Sequence, residues 1–412
     1  MNKANYFLFV SIDGMTDPLG QSQVLPYLVG LAKKGYSIGI VSCEKKANWK
    51  QNYTQINNIT KAANIKWEYS FYKNSIPFLS QLQNYNSLKK IVKQTIINSP
   101  NHIILHCRSY LAGLIGLNAK KKYSTGLIFD MRGFWADERI DGGIWNKSKP
   151  IGHFLYSYFK KKEKEILLHA DAIISLTQKA KSIIVNWEFG IKKSKISVIP
   201  CCVDLEHFSE KTINENVLNT IKTNYPQLNN KFVLSYVGSL GTWYMSDEMI
   251  TFFKILSQKT DAVFLIITKD DKEIIYEAAK KQGVALDKLI IIPSSRNDMP
   301  TYISLSSASL FFIKPSFSKF ASSPTKMGEI LSMGIPIITN KGIGDVESII
   351  NESQCGILIS DFNDRSYQNA TNELLERNQV ISKNTKHTAH NYFSLLDGIE
   401  KYNHVYSLFN NK

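Results

Sequence analysis

The stretch Ser322-Ser323-Pro324-Thr325-Lys326-Met327-Gly328-Glu329-Ile330-Leu331-Ser332-Met333-Gly334-Ile335-Pro336 reads as one short helix running into a strand. A serine cap followed by proline at the first helical position predicts a sharp start, and Gly334-Ile335-Pro336 ends the helix before the strand Pro336-Ile337-Ile338-Thr339. Lys326 falls in the first turn, where the helix dipole disfavours a cation by roughly a few tenths of a kcal/mol unless an anion is bound beside it. Glu329, three residues on, shares that face. It can accept hydroxyl hydrogen bonds while Lys326 and the helix N-terminus hold phosphates. The plain alternative is a solvent-exposed Lys–Glu pair.

Working outward, short β-branched and apolar runs alternate with helix-length segments, the pattern of parallel sheets with crossover helices. It occurs twice. The first series predicts strands at 6–12, 37–43, 65–71, 102–107, 126–130, 172–177 and 195–200, with a helix from Gln23 to Lys34 stopping at Gly35. After Phe208 the chain turns polar and Asn-rich, which reads as a linker. A second series opens at Phe232-Val233-Leu234-Ser235-Tyr236-Val237 and continues at 262–268, 288–293, 308–313, 335–339 and 356–359. From about Phe393, apolar Leu395, Leu396, Ile399, Tyr402, Val405, Tyr406 and Phe409 form an amphipathic helical stripe that should pack on something.

At 412 residues the chain is long enough for two domains, which implies a cleft. A hydrophobic fraction of 43% and a charged fraction of 21% are those of a globular protein. No apolar run approaches the roughly 18–20 residues of a bilayer-spanning helix. The run from Tyr6 to Ile12 follows a single Lys3 and lacks a small-residue cleavage site, so it reads as a strand rather than a leader. Five scattered cysteines fit reduced thiols and a cytoplasmic location. Fifty Lys and Arg against 35 Asp and Glu give +15, a balance suited to nucleotide phosphates, a lipid pyrophosphate or an acidic membrane face. No basic-aromatic RNA-binding signature appears, and nucleic acid is not expected as a partner. No metal spacing appears either: His102 and His106 stand on a strand without further ligands.

Ligands of open α/β sheets sit beyond the carboxyl ends of strands. Two further loops lie there. Asp13-Gly14-Met15-Thr16-Asp17-Pro18-Leu19-Gly20-Gln21-Ser22 follows the first strand, and its glycines permit close backbone approach to a ligand. It lacks G-x-G-x-x-G spacing, so a dinucleotide site is not indicated, and an ordinary βα turn is the alternative. Gly238-Ser239-Leu240-Gly241-Thr242-Trp243-Tyr244 opens the second series, where Gly238, Ser239, Gly241 and Thr242 can meet a phosphate. His106, Arg108, Asp130 and Arg132 close two strands of the first series and could contact a sugar or a phosphate. A structural histidine is the alternative for His106. Phe154-Leu155-Tyr156-Ser157-Tyr158-Phe159 followed by Lys160-Lys161-Lys162-Glu163-Lys164 joins aromatics to a basic cluster, as interfacial helices do, or else is a solvated face with its aromatics turned inward.

Ser323-Pro324-Thr325-Lys326 through Glu329, Gly334 and Pro336, then Gly342-Ile343-Gly344-Asp345-Val346, resembles the donor site of the large retaining glycosyltransferase family 4 (group 1) of GT-B fold. Val198-Ile199-Pro200-Cys201-Cys202-Val203-Asp204 is similar to that family's interdomain turn, with Cys201-Cys202 in place of Asn-Gly. Asp130 through Arg139 resembles capsule- and O-antigen-type members.

The resemblance implies an α/β GT-B fold, two Rossmann-like domains with parallel sheets facing a central cleft. Residues 1–208, with a C-terminal helix about 393–412 packing back, would hold a glycan or polyprenyl-linked acceptor, and 209–392 the nucleotide-sugar donor. Transfer would proceed with retention and without a metal or cofactor, peripherally on the cytoplasmic membrane face, in surface-polysaccharide synthesis. Lys326 and His106 are the expected catalytic residues. Gly238, Ser239, Gly241, Thr242, Ser323, Thr325, Lys326 and Glu329 are expected on the donor, with Gly20, Gln21, Arg108, Asp130 and Arg132 on the acceptor. Two positions depart from the family: Ala321 stands at the first donor-site glutamate and Ser239 at the diphosphate-binding arginine. A catalytically silent donor-binding scaffold and a GT-B epimerase are the competing readings.

Overall fold

The computed structural model describes residues 5–410. Lys3 and the last two residues of the expected C-terminal helix fall outside it. The chain forms two compact units, one from the segment up to Pro200 together with that from Leu395 onward, the other from Cys201–Ser394.

The first unit runs β1 (Asn5–Ser11), α1 (Pro18–Gln23), α2 (Leu25–Lys33), β2 (Ser37–Glu44), α3 (Lys46–Ala62), β3 (Lys66–Phe71), α4 (Pro77–Asn98), β4 (His102–Arg108), α5 (Ser109–Tyr123), β5 (Gly126–Asp130), α6 (Trp135–Asp141), α7 (Pro150–His169), β6 (Ala172–Ser175), α8 (Gln178–Asn186) and β7 (Ile196–Val198). Its seven strands are all parallel, in the order β3-β2-β1-β4-β5-β6-β7. Near-continuous apolar runs such as Phe7–Val10 and Leu127–Phe129 are buried because helices cover both sheet faces. The order reverses between β1 and β4, where Phe9 pairs with His106, and this switch point sets where the loops diverge.

The second unit runs α9 (Glu215–Asn224), β8 (Phe232–Val237), α10 (Ser246–Lys259), β9 (Ala262–Ile267), α11 (Glu273–Gln282), β10 (Leu289–Ile292), α12 (Met299–Ser304), β11 (Ala308–Phe311), α13 (Thr325–Ser332), β12 (Ile337–Asn340), α14 (Val346–Ser353), β13 (Gly356–Ile359) and α15 (Asp364–Phe393). Six parallel strands are ordered β10-β9-β8-β11-β12-β13, so the switch point lies between β8 and β11. A last helix, α16 (Leu395–Ser407), belongs to the first unit and lies against α2.

Several expectations are corrected. The helix expected at 23–34 is α2, starting two residues later at Leu25, and the polar turn expected before it folds in part as the separate helix α1, which ends ahead of Pro26 because that residue offers no backbone N–H to continue the ladder. The Asn-rich stretch after Phe208 is no open linker: it folds as α9 with flanking short turns, and Ile221 and Leu228 pack into the core of the second unit. The C-terminal stripe is interrupted at Ser394, and Leu396, counted on its apolar face, is 73% exposed. Ile399, Tyr402, Val405, Tyr406 and Phe409 are buried.

Candidate functional site

In the second unit, α13 begins one residue later than expected. Pro324 keeps an extended ψ of 110° and occupies the cap position, and no serine caps the helix. The Ser323 hydroxyl instead accepts a hydrogen bond from Cys201 N (3.1 Å). The solvent-exposed Lys–Glu pair is excluded, since Lys326 is only 9% exposed and Glu329 lies mostly buried.

Lys326 Nζ sits in a cage of rings, 3.8 Å from the centroid of Tyr244, 4.4 Å from Tyr236 and 5.9 Å from Phe311. It donates to Tyr236 Oη at 3.2 Å. The cage abuts the loop after β8: a Cβ on Gly238, whose φ is +127°, would lie 2.8 Å from Lys326 Nζ. Burial pushes the amine down to about 7, with Glu329 opposing it. Glu329 Oε1 is 3.5 Å from Arg296 Nη1; burial raises the carboxyl, while Arg296 and then Lys326 lower it.

The loop itself is fixed at its base. Leu240 N donates to Asp270 Oδ2 (2.5 Å), Tyr236 Oη to the Ser239 carbonyl, and Lys314 N to the Trp243 carbonyl (2.9 Å). Ser239, Gly241 and Thr242 remain exposed at its tip, and Ser323 and Thr325 are half-buried. Lys319 Nζ stacks 3.5 Å from the Trp243 ring. Ala321 is buried at 2% exposure and presents no carboxylate ahead of α13.

In the first unit, β1, β4 and β5 deliver a charged cluster to their carboxyl ends. His106 lies inside β4, which continues through Arg108, and Asp130 is the last residue of β5. Arg108 Nε is 3.3 Å from Asp13 Oδ2, and Arg108 Nη1 4.0 Å from Asp130 Oδ2. Arg132 Nη1 is 3.8 Å from Asp130 Oδ1. Tyr402 of α16 donates to Asp130 Oδ2 at 3.1 Å. Burial pushes Asp130 up, but Arg132, His106 and Arg108 together outweigh it and leave the carboxyl below its ordinary value.

His106 is 1% exposed, with Nδ1 2.9 Å from Tyr406 Oη and Nε2 3.8 Å from Asp130 Oδ2. Burial lowers its pKa, so the imidazole is neutral at pH 7. Ser109 (φ +64°) and Arg132 (φ +60°) both hold the left-handed conformation right at these strand ends.

Glu44, which closes β2 and is fully buried, organises the loop after β1. It accepts from Met15 N (2.7 Å), Thr16 N (3.0 Å) and Ser42 Oγ (2.6 Å). Gln21 Nε2 donates to the Thr16 carbonyl at 2.9 Å. Gly20 is buried against the same loop: a Cβ there would collide with the Gly14 carbonyl oxygen and lie 2.7 Å from Met15 Cα. Its lack of a side chain therefore serves the fit of α1 on its own loop.

Glu44, Arg296 and the Tyr236–Tyr244 cage escaped the sequence reading. Glu44 ends β2 and Arg296 lies four residues past β10, so the strand-end rule applied to every strand would have found both. Tyr236 is an interior strand residue, and no sequence signal marks it. Among the described residues, no group of three His, Cys, Asp or Glu side chains could hold a metal ion, and no helix is long and apolar enough to cross a membrane.

Family models match both halves: Glycosyltransferase Family 4 over residues 23–207 and Glycosyl transferases group 1 over residues 219–391. Among solved structures, the chain is similar to a sucrose-phosphate synthase from Thermosynechococcus elongatus (TM-score 0.75, 12% identity, 100% of each chain covered). It is similar also to a glycosyltransferase from Rickettsia africae (TM-score 0.69, 17% identity, 98% of each chain). A third is Anabaena HepE, solved in complex with UDP (TM-score 0.68, 14% identity, 98% of this chain and 100% of that one). No curated protein matches in sequence. The sheets of seven and six parallel strands are those of the two-domain GT-B fold.

Proposed function

With a Glycosyltransferase Family 4 model matching its first half and a Glycosyl transferases group 1 model its second, we propose that the chain is a glycosyltransferase that moves a sugar from a nucleotide-sugar donor to a glycan or polyprenyl-linked acceptor with retention. The unit Cys201–Ser394 holds the donor and the other unit the acceptor. Surface-polysaccharide synthesis, on the inner face of the cell membrane, is the proposed setting.

The observation that carries this reading is the ring-caged Lys326 against Gly238, in the first turn of α13. An amine held near 7 gains its proton most readily when an anion arrives beside it. The leaving diphosphate is such an anion. Lys326 and the positive end of the α13 dipole meet its charge as the glycosidic bond breaks, a fixed arrangement that needs no reorganisation. No metal is assigned to this step.

Glu329, steadied by Arg296, accepts from the ribose hydroxyls. Ser239, Gly241, Thr242, Ser323 and Thr325 bind from the rim. Arg108 and Arg132 receive the acceptor beside Asp130, on a loop shaped by Gly20 and Gln21. His106, at 1% exposure, acts through Asp130 as a positioning residue.

The test is thermal stabilisation by a panel of UDP-, GDP-, ADP- and CMP-sugars. A donor at one hundred times its dissociation constant adds about 2.7 kcal/mol. One base class should stabilise the wild type and lose its effect in Lys326→Ala and Glu329→Ala, with slow release of free sugar from that donor. The UDP in the HepE structure makes the uridine series the first to try. Stabilisation by a donor without any sugar release would make the chain a donor-binding scaffold, and no stabilisation by any base would remove the donor-site assignment.

A further inference from the structure

A face of the first unit that takes no part in the charged cluster carries large apolar side chains in the open. On α7, Ile151 (76% exposed), Phe154 (67%) and Tyr158 recur at helical spacing, with the Phe154 and Tyr158 rings stacked 6.4 Å apart. On α4 and just ahead of it, Ile76 (74%), Leu79 and Leu82 do the same. This corrects the solvated-face alternative for the aromatic-basic stretch, because only Phe159 among those rings is turned into the core.

The two helices are neighbours. Both pack on α5, whose Asn118 donates to Tyr85 Oη of α4 at 2.9 Å. Tyr158 and Lys162 of α7 act electrostatically on that same phenol. In a parallel sheet the crossover helices start at the carboxyl ends of the strands, so the apolar ends of α4 and α7 lie toward the end that carries Asp13, Arg108 and Asp130.

Charge identifies the occupant. Residues 71–101 contain four lysines (Lys73, Lys89, Lys90, Lys93) and no acid; residues 142–162 contain five (Lys147, Lys149, Lys160, Lys161, Lys162) and again no acid. The nearest carboxylates on α7, Glu163 and Glu165, are already held by lysines, Glu163 by Lys160 and Glu165 by Lys121 and Lys162. A water-soluble protein partner would be met by mixed charge. Lys160 and Lys162 are themselves occupied by Asp137, Glu163 and Glu165, but exposed lysines such as Lys149 and Lys161 stand beside the apolar stripe, and such a border suits a surface that is apolar within and negative at its rim.

We propose that the N-terminal ends of α4 and α7 form a docking face for the anionic surface of a lipid bilayer, inserting Ile151, Phe154 and Leu82 while the lysines meet lipid phosphates. The proposal rests on the peripheral location given above and names the surface responsible. It brings the acceptor end of the first unit toward the membrane, where a polyprenyl-linked acceptor is anchored.

The experiment is co-sedimentation of the full chain with vesicles of phosphatidylcholine alone and of phosphatidylcholine mixed with phosphatidylglycerol. Wild type should bind the mixed vesicles, and the affinity should fall with added salt. Ile151→Ser with Phe154→Ser should weaken binding by about tenfold or more. Lys149→Glu with Lys161→Glu should weaken it by about fivefold per lysine removed. All four positions are solvent-exposed, so the variants should keep the wild-type melting temperature and donor stabilisation.

If wild type binds mixed vesicles and both variants bind equally well, this face is not the docking surface although the peripheral location stands. If wild type binds no vesicles, both fall. If the chain is a dimer that the Ile151→Ser, Phe154→Ser variant converts to monomer without any change in vesicle binding, the face is a contact between copies and the lipid assignment is wrong.

Discussion

Lys326 titrates where most lysines do not, and that has a measurable sign. Its folded pKa is near 7 against an ordinary 10.5, so between those values the unfolded chain binds more protons than the folded one. This group therefore makes stability rise with pH from about 7 upward, and its burial penalty is greatest below 7. Lys326→Met should flatten that rise in urea unfolding measured from pH 7 to 9, relative to wild type. Binding of the nucleoside diphosphate whose base the panel selects should draw in about one proton at pH 8, measured by calorimetry in buffers of different ionisation enthalpy. Equal proton uptake by wild type and Lys326→Met would separate the lysine from the anion. Glu44 supports a second residue-scale expectation. Glu44→Gln turns an acceptor of several donors into a group that must present its own N–H to some of them, costing about 2 kcal/mol. Acceptor KM should rise with donor KM unchanged, and a rise in donor KM instead would place this loop on the wrong substrate.

At the scale of elements, α16 completes the first unit by supplying Tyr402 to Asp130 and Tyr406 to His106. Its seat on α2 depends on Gly30, where a Cβ would strike Ile399 Cδ1 and lie 2.8 Å from Ile399 Cγ1. Gly30→Leu should lift α16 and cost about 1–3 kcal/mol, read as a lower urea midpoint. The loss should carry over to acceptor turnover while stabilisation by the nucleotide persists. If acceptor turnover is unaffected, the tyrosines of α16 do not steady Asp130 during the reaction. The short α13 shows the opposite economy: eight residues suffice because Met327, Ile330 and Leu331 anchor it in the core.

At the scale of the whole molecule, each of the two doubly wound sheets has its own switch point, and on the proposed division the two substrates should protect different segments from hydrogen exchange. The nucleotide that stabilises the chain is expected to protect Gly238–Tyr244 and Thr325–Ser332, and an acceptor analogue Asp13–Gln21. Protection by that nucleotide in Asp13–Gln21 alone would reverse the assignment of the two units.

Much of this was legible in the amino-acid order. Strand positions, their alternation with helices and the end of α13 before Gly334-Ile335-Pro336 follow from local spacing and turn chemistry. Those are short-range properties that any window of the chain carries. Tertiary structure alone decided what surrounds the charged groups. Lys326 and its partner Tyr236 are 90 residues apart, and His106 and Tyr406 are 300 apart. Desolvation depends on which surfaces the folded chain brings together, so neither the neutral-range lysine nor the neutral histidine could be read from sequence spacing.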